Sequence, residues 1–89
     1  MMPRVWIPPA LRDLTGGKDV VAARGSNVRA VIAALEKDFP GIAARLCDGD
    51  RVRPGISVIV DSNVAPLGLL APVKPDSEVH FLPAIGGGS

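Results

Sequence analysis

The residues best suited to chemistry lie at one end of the chain, in Gly86-Gly87-Gly88-Ser89, directly after Leu82-Pro83-Ala84-Ile85. Glycine has no side chain to obstruct a narrow channel, and it reaches backbone angles closed to other residues. A glycine carboxylate on such a tail can enter the active site of another protein. From Pro83 to Gly88 the extended chain reaches at most ~21 Å. A carboxylate is a poor electrophile, so acyl chemistry at this end needs a leaving group installed first. A run of glycines closed by serine is also common linker composition. The apolar strand and the Leu82-Pro83 step before it set this tail apart from a linker.

Other candidate residues carry less. Cys47 is the only cysteine, so no intramolecular disulfide forms. No histidine or carboxylate is arranged around it in the sequence, and a packing role is expected. His80 alternates with Val79 and Phe81, which places it on the outer sheet face, bordering a partner surface. Leu82 shares that face and, with Ile85, offers an apolar contact to dock the tail. Trp6 is expected in the core or at its edge. Asp61 and Asn63 resemble half of a metal loop, but no further carboxylates follow at ligand spacing. They are expected to be turn residues, and no metal site is predicted. The chain also lacks a P-loop glycine pattern, which fits a protein that does not itself bind ATP.

Length and charge narrow the classes further. The 89 residues make one domain, with a radius of gyration of about 12 Å expected for a compact chain. Ten basic and nine acidic residues leave a net charge of +1, without the basic stripe that a phosphate-tracking protein needs. Arg51 and Arg53 follow Asp48 and Asp50 in what reads as a solvated loop, so nucleic acid is excluded as a partner. Pro3, Pro8 and Pro9 interrupt any apolar run of a signal peptide. No segment approaches the ~20 apolar residues of a membrane helix. A cytoplasmic protein with an aliphatic core is expected.

The elements that position the tail follow from patterning. Arg4 to Ile7 and Lys18 to Ala22 read as two hairpin strands joined through Gly16-Gly17. Ser26 or Asn27 caps a helix in which Val28, Val31, Ile32, Leu35 and Phe39 recur on one face. Pro40 stops it, and Gly41 to Leu46 forms one more helical turn that tucks Ile42 and Leu46 under the sheet. Asp48 to Gly55 is a polar loop, and Ile56 to Val60 a β-branched central strand. Asp61-Ser62-Asn63 turns into a short edge segment from Val64. Leu67, Leu69 and Leu70 form an irregular connection that caps the core. Lys74-Pro75-Asp76-Ser77 is a turn, and Glu78 to Leu82 is the last strand. One amphipathic helix must cover a mixed sheet of four or five strands, which defines an α+β fold. For the first hairpin and last strand to meet, the chain crosses over after the helix, and the arrangement is the β-grasp. Residues 1–82 form that domain, and 83–89 a flexible tail.

The β-grasp order, the strand Val79-His80-Phe81-Leu82-Pro83 and the ending Ala84-Ile85-Gly86-Gly87-Gly88 together resemble the ubiquitin-like sulfur-carrier family. That family contains the molybdopterin synthase small subunit, the thiamine-pathway carrier and the CysO-type carriers of cysteine biosynthesis, with the likeness nearest to the CysO type. It extends through Ile7-Pro8, Leu11-Arg12, Thr15-Gly16-Gly17, the helix, Ile59-Val60-Asp61 and Leu82-Pro83-Ala84. The resemblance implies a protein co-substrate, not an enzyme. An E1-like enzyme adenylates the terminal glycine carboxylate with ATP, sulfide or a persulfide displaces AMP to give a thiocarboxylate, and a second enzyme takes the sulfur.

On this resemblance Gly88 is the adenylation and thiocarboxylate site, Gly86 and Gly87 give clearance, and Leu82, Pro83, Ala84 and Ile85 dock on partners. The chain binds no cofactor; ATP belongs to the activating enzyme. The implied partners are that adenylating and sulfurtransferase enzyme and a sulfur-accepting synthase, such as a pyridoxal-phosphate-dependent cysteine synthase. The family ending stops at the second glycine, whereas this chain continues to Ser89. Either a protease, of the JAMM type, cuts between Gly88 and Ser89, or Ser89 is foreign to the natural protein. The molybdopterin synthase small subunit is the alternative within the family. A ubiquitin-like modifier and an interaction module with an inert tail are the alternatives outside it.

Overall fold

The computed structural model describes residues 2–64 and 68–83. The elements are β1 (Arg4–Trp6), β2 (Val20–Ala22), α1 (Val28–Asp38), α2 (Ile42–Leu46), β3 (Cys47–Asp48), β4 (Arg51–Val52), β5 (Ile56–Val60), β6 (Asn63–Val64) and β7 (Glu78–Pro83).

Five strands form one mixed sheet in the order β2-β1-β7-β5-β6. The first hairpin pairs Val5 with Val21, and β7 then lies parallel to β1, with Val5 against Val79. On its other side β7 runs antiparallel to β5, with Phe81 against Val58. This is the β-grasp arrangement that the sequence predicts. Ile56–Val60 is an interior strand, as the sequence predicts: β5 lies between β7, which takes the middle, and the edge strand β6. The last strand inserts between the first hairpin and β5, a placement that β-branched content alone does not encode.

Helix α1 starts because Asn27, with extended backbone, accepts the Ala30 amide at 2.8 Å through Oδ1. Of the two candidate caps, Asn27 is the one used. Gly25 is needed just before it: a Cβ there would come within 2.5 Å of the Val31 nitrogen. Val28, Val31, Ile32 and Leu35 are buried against Val5, Val21, Val58, Val79 and Phe81, and Val60 is partly buried there. Phe39 lies past the helix end and is half-buried. Ile42 and Leu46 of α2 are fully buried, as the sequence predicts. Glu36 ties the two helices together by accepting the Gly41 and Ala43 amides at 3.0 and 2.9 Å.

Several local expectations change. The strands of the first hairpin are shorter than predicted, because a tight helical turn at Pro9–Leu11 and further turns occupy the connection. There Leu11 and Thr15 are buried, and the Thr15 hydroxyl donates to the Lys18 carbonyl at 2.8 Å. The polar loop after α2 contains a small hairpin, β3 against β4, with Cys47 opposite Val52. Its turn begins at Gly49, with φ of +66°, and Asp48-Gly49 is the turn signal that marks it. In the connection before β7, Leu69 is buried and Leu70 is 64% exposed. Leu67 lies outside the described residues. The same connection holds the start of α1, where the Val28 amide donates to Ala71 and the Val73 amide to Ser26. The radius of gyration is 11.8 Å.

Candidate functional site

The tail leaves the fold from β7, so the site is built from the strand that holds it. At the start of β7 the Asp61 carboxylate accepts the Glu78 amide at 2.9 Å and the Ser77 hydroxyl at 2.7 Å. The Asp61 amide donates back to the Glu78 carbonyl at 2.9 Å. The Glu78 amide, and after it the Ser77 hydroxyl, hold the Asp61 carboxyl below its ordinary value. Asp61 is thus a turn residue, as expected, whereas Asn63, expected in the same turn, already opens β6 opposite Val60. Among the described residues no group of three or more His, Cys, Asp or Glu could hold a metal ion.

Further along, β1 supports β7 only as far as His80, opposite Trp6. Pro8 and Pro9 follow, and without backbone N–H groups they cannot continue the ladder. β7 runs on through Phe81–Pro83 paired with β5, where Leu82 faces Ser57 and Pro83 faces Ile56. A groove of about 400 Å³ opens at this place, lined by Pro9, Ala10, Leu11, Ile56 and Leu82. Among the described residues Arg45 of α2 is its one ionisable lining residue. Two further hollows of about 410 Å³ are lined by Met2 and Arg24 and share no residue with the tail root.

Leu82 is 43% exposed and lies at the root of the tail, as the sequence predicts. Ala84, Ile85, Gly86, Gly87, Gly88 and Ser89 lie outside the described residues, as does the side chain of Pro83. The contact expected between Leu82 and Ile85 therefore also falls outside them.

His80 is on the outer sheet face, as expected, and Trp6 joins it there. Their rings stack with centroids 4.4 Å apart and planes 13° from parallel. The placement of Trp6 in the core or at its edge is corrected. Val5 takes the inward position with no exposed surface, so strand alternation turns Trp6 outward. Arg4 lies 5.6 Å from the Trp6 ring centroid and pairs with Glu78 at 2.8 Å. Ile59 and Val64 continue the row across β5 and β6, with Ile59 opposite both His80 and Val64.

Cys47 is half-buried, and desolvation pushes its thiol above the ordinary value while Arg29 pulls the other way. A thiol held in its neutral form is a poor nucleophile, so the packing role stands. The groove and Arg45 are what sequence reasoning missed. No local motif announces them, because Pro9, Arg45 and Ile56 meet only through the tertiary fold. No described helix is long and apolar enough to cross a membrane.

A β-grasp sheet whose middle strand delivers a Gly-Gly ending is the frame of a ubiquitin-like carrier, and the ThiS family matches residues 5–88. The chain belongs to that family. Sulfur carrier protein CysO of Mycobacterium tuberculosis is 38% identical over 89 residues, covering 94% of this chain and 96% of the relative. A chain of the Amycolatopsis orientalis BexX/CysO complex is 36% identical with a TM-score of 0.89, over 97% of this chain and 99% of that one. The crystal structure of Mycobacterium tuberculosis CysO, at 32% identity, gives a TM-score of 0.87 over 93% and 99%. Small archaeal modifier protein 1 of Methanosarcina acetivorans shares the fold, with a TM-score of 0.78 at 22% identity over 97% and 95%.

Proposed function

We propose that this chain is a sulfur carrier of the CysO type, a co-substrate whose reacting atom is the carboxyl carbon of Gly88. The observation that carries the reading is the family match, which spans residues 5–88, from within β1 to Gly88. Residues 1–82 act as handle and address, and 83–89 as the presented arm. A Gly88 carboxylate oxygen attacks the α-phosphate of ATP on an E1-like enzyme, and pyrophosphate leaves. Sulfide then attacks the acyl carbon, AMP leaves with its electron pair, and a thiocarboxylate remains. Where an enzyme persulfide is the donor, the acyl disulfide it forms is cleaved by a second thiol, which ends in a disulfide with the donor thiol and releases the thiocarboxylate. On a synthase that makes cysteine or another sulfur metabolite, the thiocarboxylate sulfur displaces a leaving group from the acceptor substrate, and water then cleaves the acyl bond, releasing the product and regenerating the Gly88 carboxylate. Gly86 and Gly87 give clearance inside both active sites, while Leu82, Pro83, Ala84 and Ile85 contact the enzymes. Dependence on ATP fits work in the cytoplasm. The chain needs no bound cofactor of its own.

This chemistry requires a free carboxylate on Gly88. With Ser89 attached, the Gly88 carbonyl is an amide, and the nearest free carboxylate is displaced by roughly 3.3–3.6 Å. Misplacement by ~1 Å can cost a hundredfold in rate. A chain that continues past Gly88, as this sequence does at Ser89, is a pro-form on this reading, opened by a protease of the JAMM type that cuts after Gly88.

The test supplies an E1-like enzyme, ATP and a sulfur source to chains ending at Gly88 and at Ser89. The Gly88 chain gains about 16 Da as sulfur replaces one carboxylate oxygen, the mass signature of acyl activation at the C-terminus. The Ser89 chain does not. Equal adenylation of both, with Ser89 retained by mass, refutes the pro-form. No gain on the Gly88 chain refutes the carrier reading.

A further inference from the structure

We infer that the groove at the tail root is a docking site for the activating enzyme, taking an apolar side chain flanked by a carboxylate that pairs with Arg45. The inference rests on the carrier reading and names the surface that this reading leaves unassigned.

The length of the tail fixes who must come close. From Pro83 to the Gly88 carboxyl the chain reaches at most about 21 Å. An enzyme that encloses that carboxyl must bring its own surface within this distance of Pro83, and so over the residues beside it. The groove is the hollow found there. Leu11 forms its floor at 5% exposure, while Ala10 is exposed and Leu82 and Ile56 form the side nearest β7. Pro8 and Pro9 bring the wall in already ordered, since proline fixes its own backbone angle. A pre-formed hollow lowers the ordering cost of docking.

Charge then specifies the occupant. Arg4 pairs with Glu78 and Arg29 approaches Asp50. Arg12 and Arg53 donate to the backbone carbonyls of Ile7 and Ala44. Arg45 makes no ion pair with a described residue. Its guanidinium borders an apolar hollow, and its planar fork matches a carboxylate bidentately. Covered by a partner, such a pair loses the solvent screening that weakens an exposed one. An apolar anchor beside an acidic residue fits both features. A basic partner would meet like charge, which penalises wrong encounters.

The experiment uses the chain ending at Gly88, the cognate activating enzyme and ATP, with pyrophosphate release followed at varied carrier concentration. Arg45→Glu is expected to raise KM about tenfold or more through k_on and register, with kcat at saturation unchanged. Ala10→Trp fills the groove at an exposed position and is expected to raise KM likewise, while Arg45→Lys recovers part of the loss. Arg51→Glu makes the same charge change outside the groove and leaves KM near that of the parent. Thermal melts of all four variants check that each is folded. If Arg45→Glu and Ala10→Trp match Arg51→Glu while the parent is adenylated, the groove inference fails and the carrier reading stands. If the parent releases no pyrophosphate, both fail. If Ile85→Asp shifts the amide resonances of Ala10, Leu11 and Gly55 in the free protein, the chain's own tail fills the groove and the inference is overturned.

Discussion

Leu35→Ala tests the assignment of the helix face that the whole sheet rests on. Leu35 is 1% exposed, in the core cluster with Val58, Val79 and Phe81. The substitution removes three carbons, and at about 0.8 kcal/mol for each buried methylene the transfer loss is about 2.4 kcal/mol. A hole of roughly 50 Å³ that survives relaxation adds about 1.2 kcal/mol at ~24 cal/mol per Å³. A total of about 3.5 kcal/mol lies inside the usual range of about 2–5 kcal/mol for such truncations. For a domain of this size each kcal/mol lowers Tm by about 4–8 °C, so a fall of about 14–28 °C is expected. Urea denaturation monitored by circular dichroism gives the same quantity, with the midpoint lowered and the slope unchanged. Well below its own midpoint the variant should still be adenylated at the parental rate, because the core and the tail are separate. A loss under about 1 kcal/mol would show that Leu35 does not fill the core as argued.

Val at both Gly87 and Gly88 should abolish the thiocarboxylate mass gain while leaving the melt unchanged; a yield equal to the parent would refute the tail assignment. Asp61→Asn should flatten the acid limb of the stability curve. The folded Asp61 carboxyl sits below its ordinary value, so its contribution is complete above about pH 4 and is lost as pH falls through the lowered value. Glu36, lowered by the Gly41 and Ala43 amides, acts in the same direction. Parent and Asp61→Asn curves that differ by a constant from about pH 2 to 7 would refute that role. A double-mutant cycle on Trp6 and His80 should show a coupling of about 0.5–1.5 kcal/mol from ring stacking; additive losses would mean the stack contributes nothing.

Long periodic signals were legible in the sequence. Val28, Val31, Ile32 and Leu35 gave the face of α1 because four residues at helical spacing cannot be mistaken for alternation. Val79 and Phe81 gave the inward face of β7, and through it the outward position of His80. Short elements hid. β1 has three residues, too few for alternation to say whether Val5 or Trp6 turns inward. That choice is made by β7, which presents Val79 to Val5 and His80 to Trp6. The hairpin β3–β4 has two-residue arms, and only Asp48-Gly49 marks it. The tail lies outside the described residues, and its proposed chemistry is read from residue type and order alone. The groove was not legible in the sequence, because it joins residues far apart in the chain.

On the proposed carrier reading, the position of β7 also accounts for how a small domain could present a tail to other enzymes. A tail grown from an edge strand would hang from one set of backbone bonds. Here the tail follows a strand held by β1 from Glu78 to His80 and by β5 from Val79 to Pro83. The two sets of bonds overlap at Val79 and His80, and Val79 is fully buried. The strand is therefore fixed in the core while its last residues keep one flank clear of β1. Pro83 has no N–H to give to a ladder bond. On the proposed carrier reading, backbone support as far as Pro83 and the three glycines at 86–88 serve opposite needs. The first fixes where the tail starts relative to the groove, and the second would let the last residues take whatever backbone path an active site imposes.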